Sequence, residues 1–190
     1  MPAAIVAPAS QPEARARPAR SPELARLLDA SVEAYLRENP EVASRNGDHR
    51  FDSELFDPSA AAVERRQRFA RETLAALDAL TDRSSWTEDD QVDAGILRFE
   101  LQRQVDAAPF HPEQMPVTNR DGVQITLLQT LESIKTETPE ELARWASRLE
   151  KVPGVIDQTI AQMRAGLAAG RVQPRVVMLG AAEQCDDLAG

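Results

Sequence analysis

Two histidines, one cysteine and one tyrosine are all that this 190-residue chain holds of several chemically versatile side chains. The lone Cys185 excludes an internal disulfide framework and a thiolate-rich zinc site. His49 and His111 stand far apart in sequence, so the His-Glu-x-x-His pairing that puts two imidazoles on one helix face is missing. Aromatic residues make up 4% of the chain and glycines number 8. No phosphate-cradling glycine loop, Rossmann fingerprint or Gly-x-Ser-x-Gly elbow occurs. No apolar run approaches the ~18–20 residues of a membrane span. Positive charge is short as well. The 22 Lys and Arg against 31 Asp and Glu leave a net charge of −9, the wrong sign for nucleic-acid phosphates or an anionic membrane surface. The N-terminal ten residues are apolar without a basic flank or a long apolar core, so they do not read as a signal peptide, and the cytoplasm is the expected location.

What remains is rich in Ala, Leu, Glu and Arg, the composition of a helical protein. The expectation is an all-α fold, about six amphipathic helices in an irregular antiparallel bundle over residues 21–190. A disordered Pro/Ala/Arg-rich tail precedes it over residues 1–20. Ser21-Pro22 opens the first helix, whose stripe is Leu24, Leu28, Val32 and Tyr35. Asp57-Pro58 opens a second, with Val63, Ala70, Leu74, Leu77 and Leu80 on one face and an arginine-rich patch on the other. That patch reads as a solvated face with ion pairs rather than an anion site. Thr87 caps a third helix with the stripe Val92, Ile96 and Phe99; its acidic first turn complements the helix dipole and needs no metal. Residues 125–131 are apolar, helical or extended. Thr138-Pro139-Glu140-Glu141 is a capping box that opens a helix with the buried stripe Leu142, Trp145 and Leu149. Another helix, carrying the stripe Ile156, Ile160, Met163 and Leu167, is expected after Pro153 and ends at Gly170, and a last one starts from Pro174.

The segment Arg37–Asp52 is the most polar connection between helices and holds His49. Gly47 stops a short helix there, and Asp48 and Arg50 flank the imidazole closely enough to orient or charge it. The set His49, Asp48 and Arg50 is therefore the candidate for substrate-cleft contact or proton transfer. The competing reading, a hydrogen-bonded turn locking two helices together, is favoured on residue chemistry alone. His111, between Phe110 and Pro112, reads as structural, and Cys185 as a surface thiol. No catalytic residue and no metal ligand is assigned.

Several runs carry a resemblance. Tyr35-Leu36-Arg37-Glu38-Asn39-Pro40-Glu41 and Gly47-Asp48-His49-Arg50-Phe51-Asp52 are followed in order by Phe110-His111-Pro112, Gly122-Val123-Gln124, the Thr-Pro-Glu-Glu helix, Val152-Pro153 and the run Gly166 to Val177. Together they resemble the N-terminal portion of bacterial proteins with the domain of unknown function 885 (DUF885), over roughly residues 24 to 185. The resemblance implies a helical protein similar to gluzincin-type zinc metallopeptidases. In longer relatives zinc is expected on a C-terminal helix reading His-Glu-Ala-x-Pro-Gly-His. That helix has no counterpart here, so no cofactor is expected in this chain and no zinc ligand is carried over to it. The functional expectation is a non-catalytic N-terminal helical fragment that supplies scaffold and cleft wall, with a C-terminal half or split chain as partner. The alternative is a stand-alone helical interaction module.

Overall fold

The computed structural model describes residues 21–132 and 134–189, and the expected tail over residues 1–20 lies outside them. Among the described residues there are seven α-helices and no strand. They are α1 (Pro22–Glu38), α2 (Pro40–Arg45), α3 (Ala60–Ala79), α4 (Glu88–Ala107), α5 (Val123–Glu132), α6 (Pro139–Ala168) and α7 (Arg175–Ala189). Short 3₁₀ turns fall at His49–Phe51, Ala108–Phe110 and Pro112–Gln114. The segment from residue 125 is helical, which resolves the ambiguity of its short apolar run. No helix among the described residues is long and apolar enough to cross a membrane.

The starts of the helices follow from local chemistry. Thr87 and Thr138 each accept a bond from the backbone N–H three residues on, while Asp90 and Glu141 reach back to the cap. These reciprocal bonds satisfy donors that a helix N-terminus leaves orphaned. The expected start at Asp57-Pro58 moves by two residues: Asp57 accepts from Ser59 N–H (2.9 Å), and Ser59 is the cap, accepting from Ala62 N–H (3.2 Å). Pro153 does not separate two helices. It lies inside α6, a continuous helix of 30 residues and about 45 Å. The ring removes one backbone donor, but Pro153 and Gly154 both face solvent, where water can serve the carbonyl left over.

α3 packs most extensively on α4, and α1 lies against both. Leu24, Leu77 and Ala94 form the buried centre of this three-helix unit, with Leu27, Leu28, Leu80, Leu97 and Trp86 around it. Arg65 and Arg66 of α3 both reach Glu38 at the end of α1 (2.7 and 3.2 Å), so these two members of the arginine-rich face are ion-paired. A second group joins α5 to α6 and α7.

Predicted stripes on three helices require correction. On α1, Val32 and Tyr35 are exposed, and the inward position between Leu24 and the helix end is taken by Ser31, bonded to Leu27 O. On α4, Val92, Ile96 and Phe99 face outward, while Asp90, Ala94 and Leu101 are buried. This helix carries apolar residues on opposite faces, so spacing alone could not choose between them. On α6, Leu142, Ile156, Ile160 and Leu167 are exposed and Trp145, Leu149 and Met163 are only half-buried; the buried residues are Arg148, Thr159, Gln162 and Gly166. The inner face of α6 packs on loops, whose carbonyls need donors. Arg148 donates to Phe51 O (2.8 Å) and Gln162 to Pro58 O (3.0 Å), while Gly166 passes against the carbonyl of Gln114.

Candidate functional site

The polar segment from Arg37 to Asp52 folds as a short helix and a turn. α2 begins at Pro40, directly after the end of α1, and buries Pro40, Ala43 and Ser44. It stops at Gly47, whose φ of 82° is the left-handed conformation that favours glycine. Gly47 N–H bonds to Ser44 O (3.0 Å) and Asp48 N–H to Ala43 O (2.9 Å), the paired bonds of a Schellman cap. Asp48 then caps the turn His49–Phe51 by accepting from Arg50 N–H (3.2 Å).

Arg50 and Asp48 are occupied with each other and with α1. The Arg50 guanidinium bonds to Asp48 (2.6 Å) and with two nitrogens to Glu33 (2.8 and 3.1 Å), and it lies 5.0 Å from the centroid of the Phe51 ring. The hydrogen bonds from Arg50 hold the carboxyls of Asp48 and Glu33 below their usual range, and the two carboxylates raise the Arg50 pKa in turn. This arrangement clamps the turn to α1.

His49 belongs to a different chain of contacts. Its Nδ1 lies 2.9 Å from Asp52 Oδ2, and the other oxygen of Asp52 accepts from Ser44 Oγ at 2.5 Å. Ser44 Oγ in turn accepts from Arg148 Nη2 of α6 (2.9 Å). The single Ser44 proton has two acceptors, Asp52 and Pro40 O at 3.1 Å; the shorter, charged one is favoured. Arg148 is fully buried, and its burial draws the guanidinium pKa down against the opposing charges of Glu41, Asp52 and Glu54. Arg148–Ser44–Asp52–His49 thus forms a line running from the interior to the surface, where the His49 side chain is about half exposed.

The order of the line decides its chemistry. In a nucleophilic triad the imidazole stands between hydroxyl and carboxylate and takes the hydroxyl proton. Here Asp52 stands between Ser44 and His49, so the imidazole does not touch the hydroxyl. Ser44 is buried, accepts from a guanidinium and donates to a carboxylate; it is held in place and is not activated. Asp52 fixes the imidazole through Nδ1, which leaves Nε2 as the nitrogen able to accept a proton. No bond to Nε2 is present among the described residues.

Of the three candidates, the structure ties Asp48 to Arg50 and ties His49 to neither. Sequence reasoning missed Ser44, Asp52 and Arg148. Ser44 and Asp52 lie inside the segment singled out, but Arg148 approaches from 104 residues away in sequence and left no local signal.

The zinc expected of longer relatives finds no fitting ligands here. His49 closes on Asp52 and His111 on Glu113 (2.9 Å each), one carboxylate apiece. Among the described residues no three His, Cys, Asp or Glu side chains gather as a metal site requires. His111 holds a left-handed backbone at φ 51°, between two 3₁₀ turns. Cys185 is exposed and free.

A comparison with curated proteins finds no match. A family model does match, described as a bacterial protein of unknown function, over residues 40–190. The matched span opens at the first residue of α2 and so contains Ser44, His49, Asp52 and Arg148 together. The chain belongs to this family, DUF885.

Proposed function

We propose that this chain is the non-catalytic N-terminal helical part of a zinc-dependent hydrolase-like protein, acting as scaffold and as one wall of the substrate cleft. The observation that carries the reading is the orientation of α6. Its inner face is committed to loop carbonyls, while Leu142 and Leu167 are largely exposed and Ile156 and Ile160 partly so; Ile160 and Leu167 line an open pocket with Met115, Val117 and Met178. A monomer gains nothing from such a stripe, and a further body of protein would bury it. The missing partner in this reading is a C-terminal half, on the same polypeptide or on a separate one, and zinc belongs to that half.

Within the wall, His49 is the residue we assign to substrate contact. It is half exposed, and Asp52, itself anchored through Ser44 to α6, fixes its ring. Asp48 and Arg50 support the turn that presents it. The rival reading is a stand-alone interaction module, which would use the same outward stripe on an unrelated protein.

The test is to purify the chain alone and together with a metal-helix half encoded beside it. The expected result is no stoichiometric zinc and no peptidase turnover from the chain alone, and a stable complex with turnover when both are present. Leu142→Glu with Ile156→Glu should break that complex. Stoichiometric zinc in the isolated chain, with activity lost in His49→Ala, would overturn the proposal. Failure of the two halves to associate would favour the module.

A further inference from the structure

All three methionines among the described residues meet in one place, the open cavity beside α6. Met115 comes from the loop after the turn Pro112–Gln114, Met163 from α6 and Met178 from α7, and each is half-buried. Ile160 and Leu167 complete the apolar wall on the α6 side. The cavity measures about 350 Å³, within the range of small-ligand sites. Methionine is unbranched and polarizable, so a lining rich in it adapts to a flexible apolar guest.

The walls are fixed by bonds among themselves. Gly166 lets the loop at Gln114 close on α6, since a Cβ there would stand 2.5 Å from Gln114 O. Arg171 donates through its backbone N–H to Gly166 O (2.8 Å) and through Nε to Gln114 Oε1 (2.8 Å), and Gln173 donates to Met115 O (3.3 Å). The lining that results is almost wholly apolar. A peptide or a sugar would carry amides or hydroxyls into it and leave them without partners.

Two cations border the same cavity, Arg164 and Arg171. Arg164 makes no hydrogen bond or ion pair among the described residues, and Arg171 bonds through its side chain to Gln114 alone. Along an apolar wall such side chains lay down their stems and keep the guanidinium heads at the wet mouth. We propose that this cavity binds a free medium-chain carboxylic acid, its tail among the methionines and its carboxylate on Arg164 and Arg171. The apolar lining selects the tail, and the guanidinium fork selects the planar anion. The site is complete in this chain, so the inference stands apart from the scaffold reading and is tested without a second half.

Calorimetric titration of the full chain with octanoate should show one site with a Kd on the order of 100 µM. Hexanoate should bind roughly fifteen-fold more weakly, because each buried methylene is worth about fourfold. Octylamine, with the same tail and the opposite charge, should not bind detectably. Arg164 is exposed and unpartnered, so Arg164→Gln leaves the fold intact; it should weaken octanoate at least several-fold and leave the binding of octanol unchanged. In spectra of protein labelled with carbon-13 at the methionine methyls, Met115, Met163 and Met178 should shift together and saturate along the same titration. Octanoate binding that does not saturate overturns the proposal. So does octylamine binding as tightly as octanoate, or an Arg164→Gln variant that holds octanoate as the parent does.

Discussion

Arg148 and Ser44 meet at 2.9 Å across 104 residues of sequence, and this one contact joins α6 to the turn that carries His49. The guanidinium also donates to Phe51 O (2.8 Å). Its Nε and Nη1 have no hydrogen-bond partner among the described residues, so the bonds that are made must offset a large loss of hydration. Removing the guanidinium would leave Asp52 and Phe51 O without their link to α6. Arg148→Ala should therefore lower stability by about 3 kcal/mol, read as a shift of the urea midpoint at unchanged slope. A variant as stable as the parent would show that α6 is held to this turn by other means.

His49 makes its bond at the exposed end of the line. His49→Gln keeps a side-chain donor for Asp52 and should change stability by less than about 1 kcal/mol. In an assembled, active protein the same substitution should alter turnover, because it removes the group able to accept a proton. Equal activity in His49→Gln and the parent would assign the residue to the turn alone.

The α1–α3 contact has a pH dependence of determinate sign. Burial works against ionisation of Glu38, but the hydrogen bonds and charges of Arg65 and Arg66 outweigh it and hold the carboxyl below its usual range. A carboxylate whose folded pKa lies below its unfolded value adds stability above the unfolded value and loses it as pH falls through the folded one. Glu33 and Asp48 have the same sign, through hydrogen bonds from Arg50. The chain should therefore lose stability below about pH 4.3. Glu38→Gln should be less stable at pH 7 and show a flatter acid limb in thermal melts. An unchanged acid limb in the variant would sink this assignment.

Gly166 is required by space. A Cβ there would stand 2.5 Å from the Gln114 carbonyl oxygen and 3.0 Å from that of Arg171. Backbone atoms cannot swing aside as a side chain can, so Gly166→Ala should cost about 1–3 kcal/mol, despite the better helix propensity of alanine. A rise in the thermal midpoint would contradict the close packing of α6 on the loop at Gln114.

Pro153 invites the opposite change. It is exposed within a continuous helix, and Pro153→Ala restores a backbone hydrogen bond. The variant should gain up to about 3 kcal/mol, measured by thermal or urea unfolding. No gain would mean that the interruption in α6 relieves strain elsewhere.

Most helix starts were legible in local chemistry, whereas the break expected at Pro153 was not found. Thr87 with Asp90 and Thr138 with Glu141 act over three residues, and Gly47 stops α2 through its own backbone freedom, so each needs nothing beyond its neighbours in sequence. The all-α class and the family resemblance followed from the same short range. The faces of the helices were not legible. Spacing reports that α4 and α6 have apolar stripes, but burial depends on what approaches from elsewhere in the chain. On α4 two apolar faces competed, and α1 and α3 cover the one around Ala94. On α6 the loops at Phe51, Pro58 and Gln114 carry carbonyls that only donors can satisfy, so the face with Arg148 and Gln162 turns inward. The same holds for the candidate site. Sequence alone singled out His49; the structure shows that Asp52, three residues on, meets the ring in place of Asp48 and Arg50, and only the tertiary fold brings Arg148 to Ser44 at the buried end of the same line.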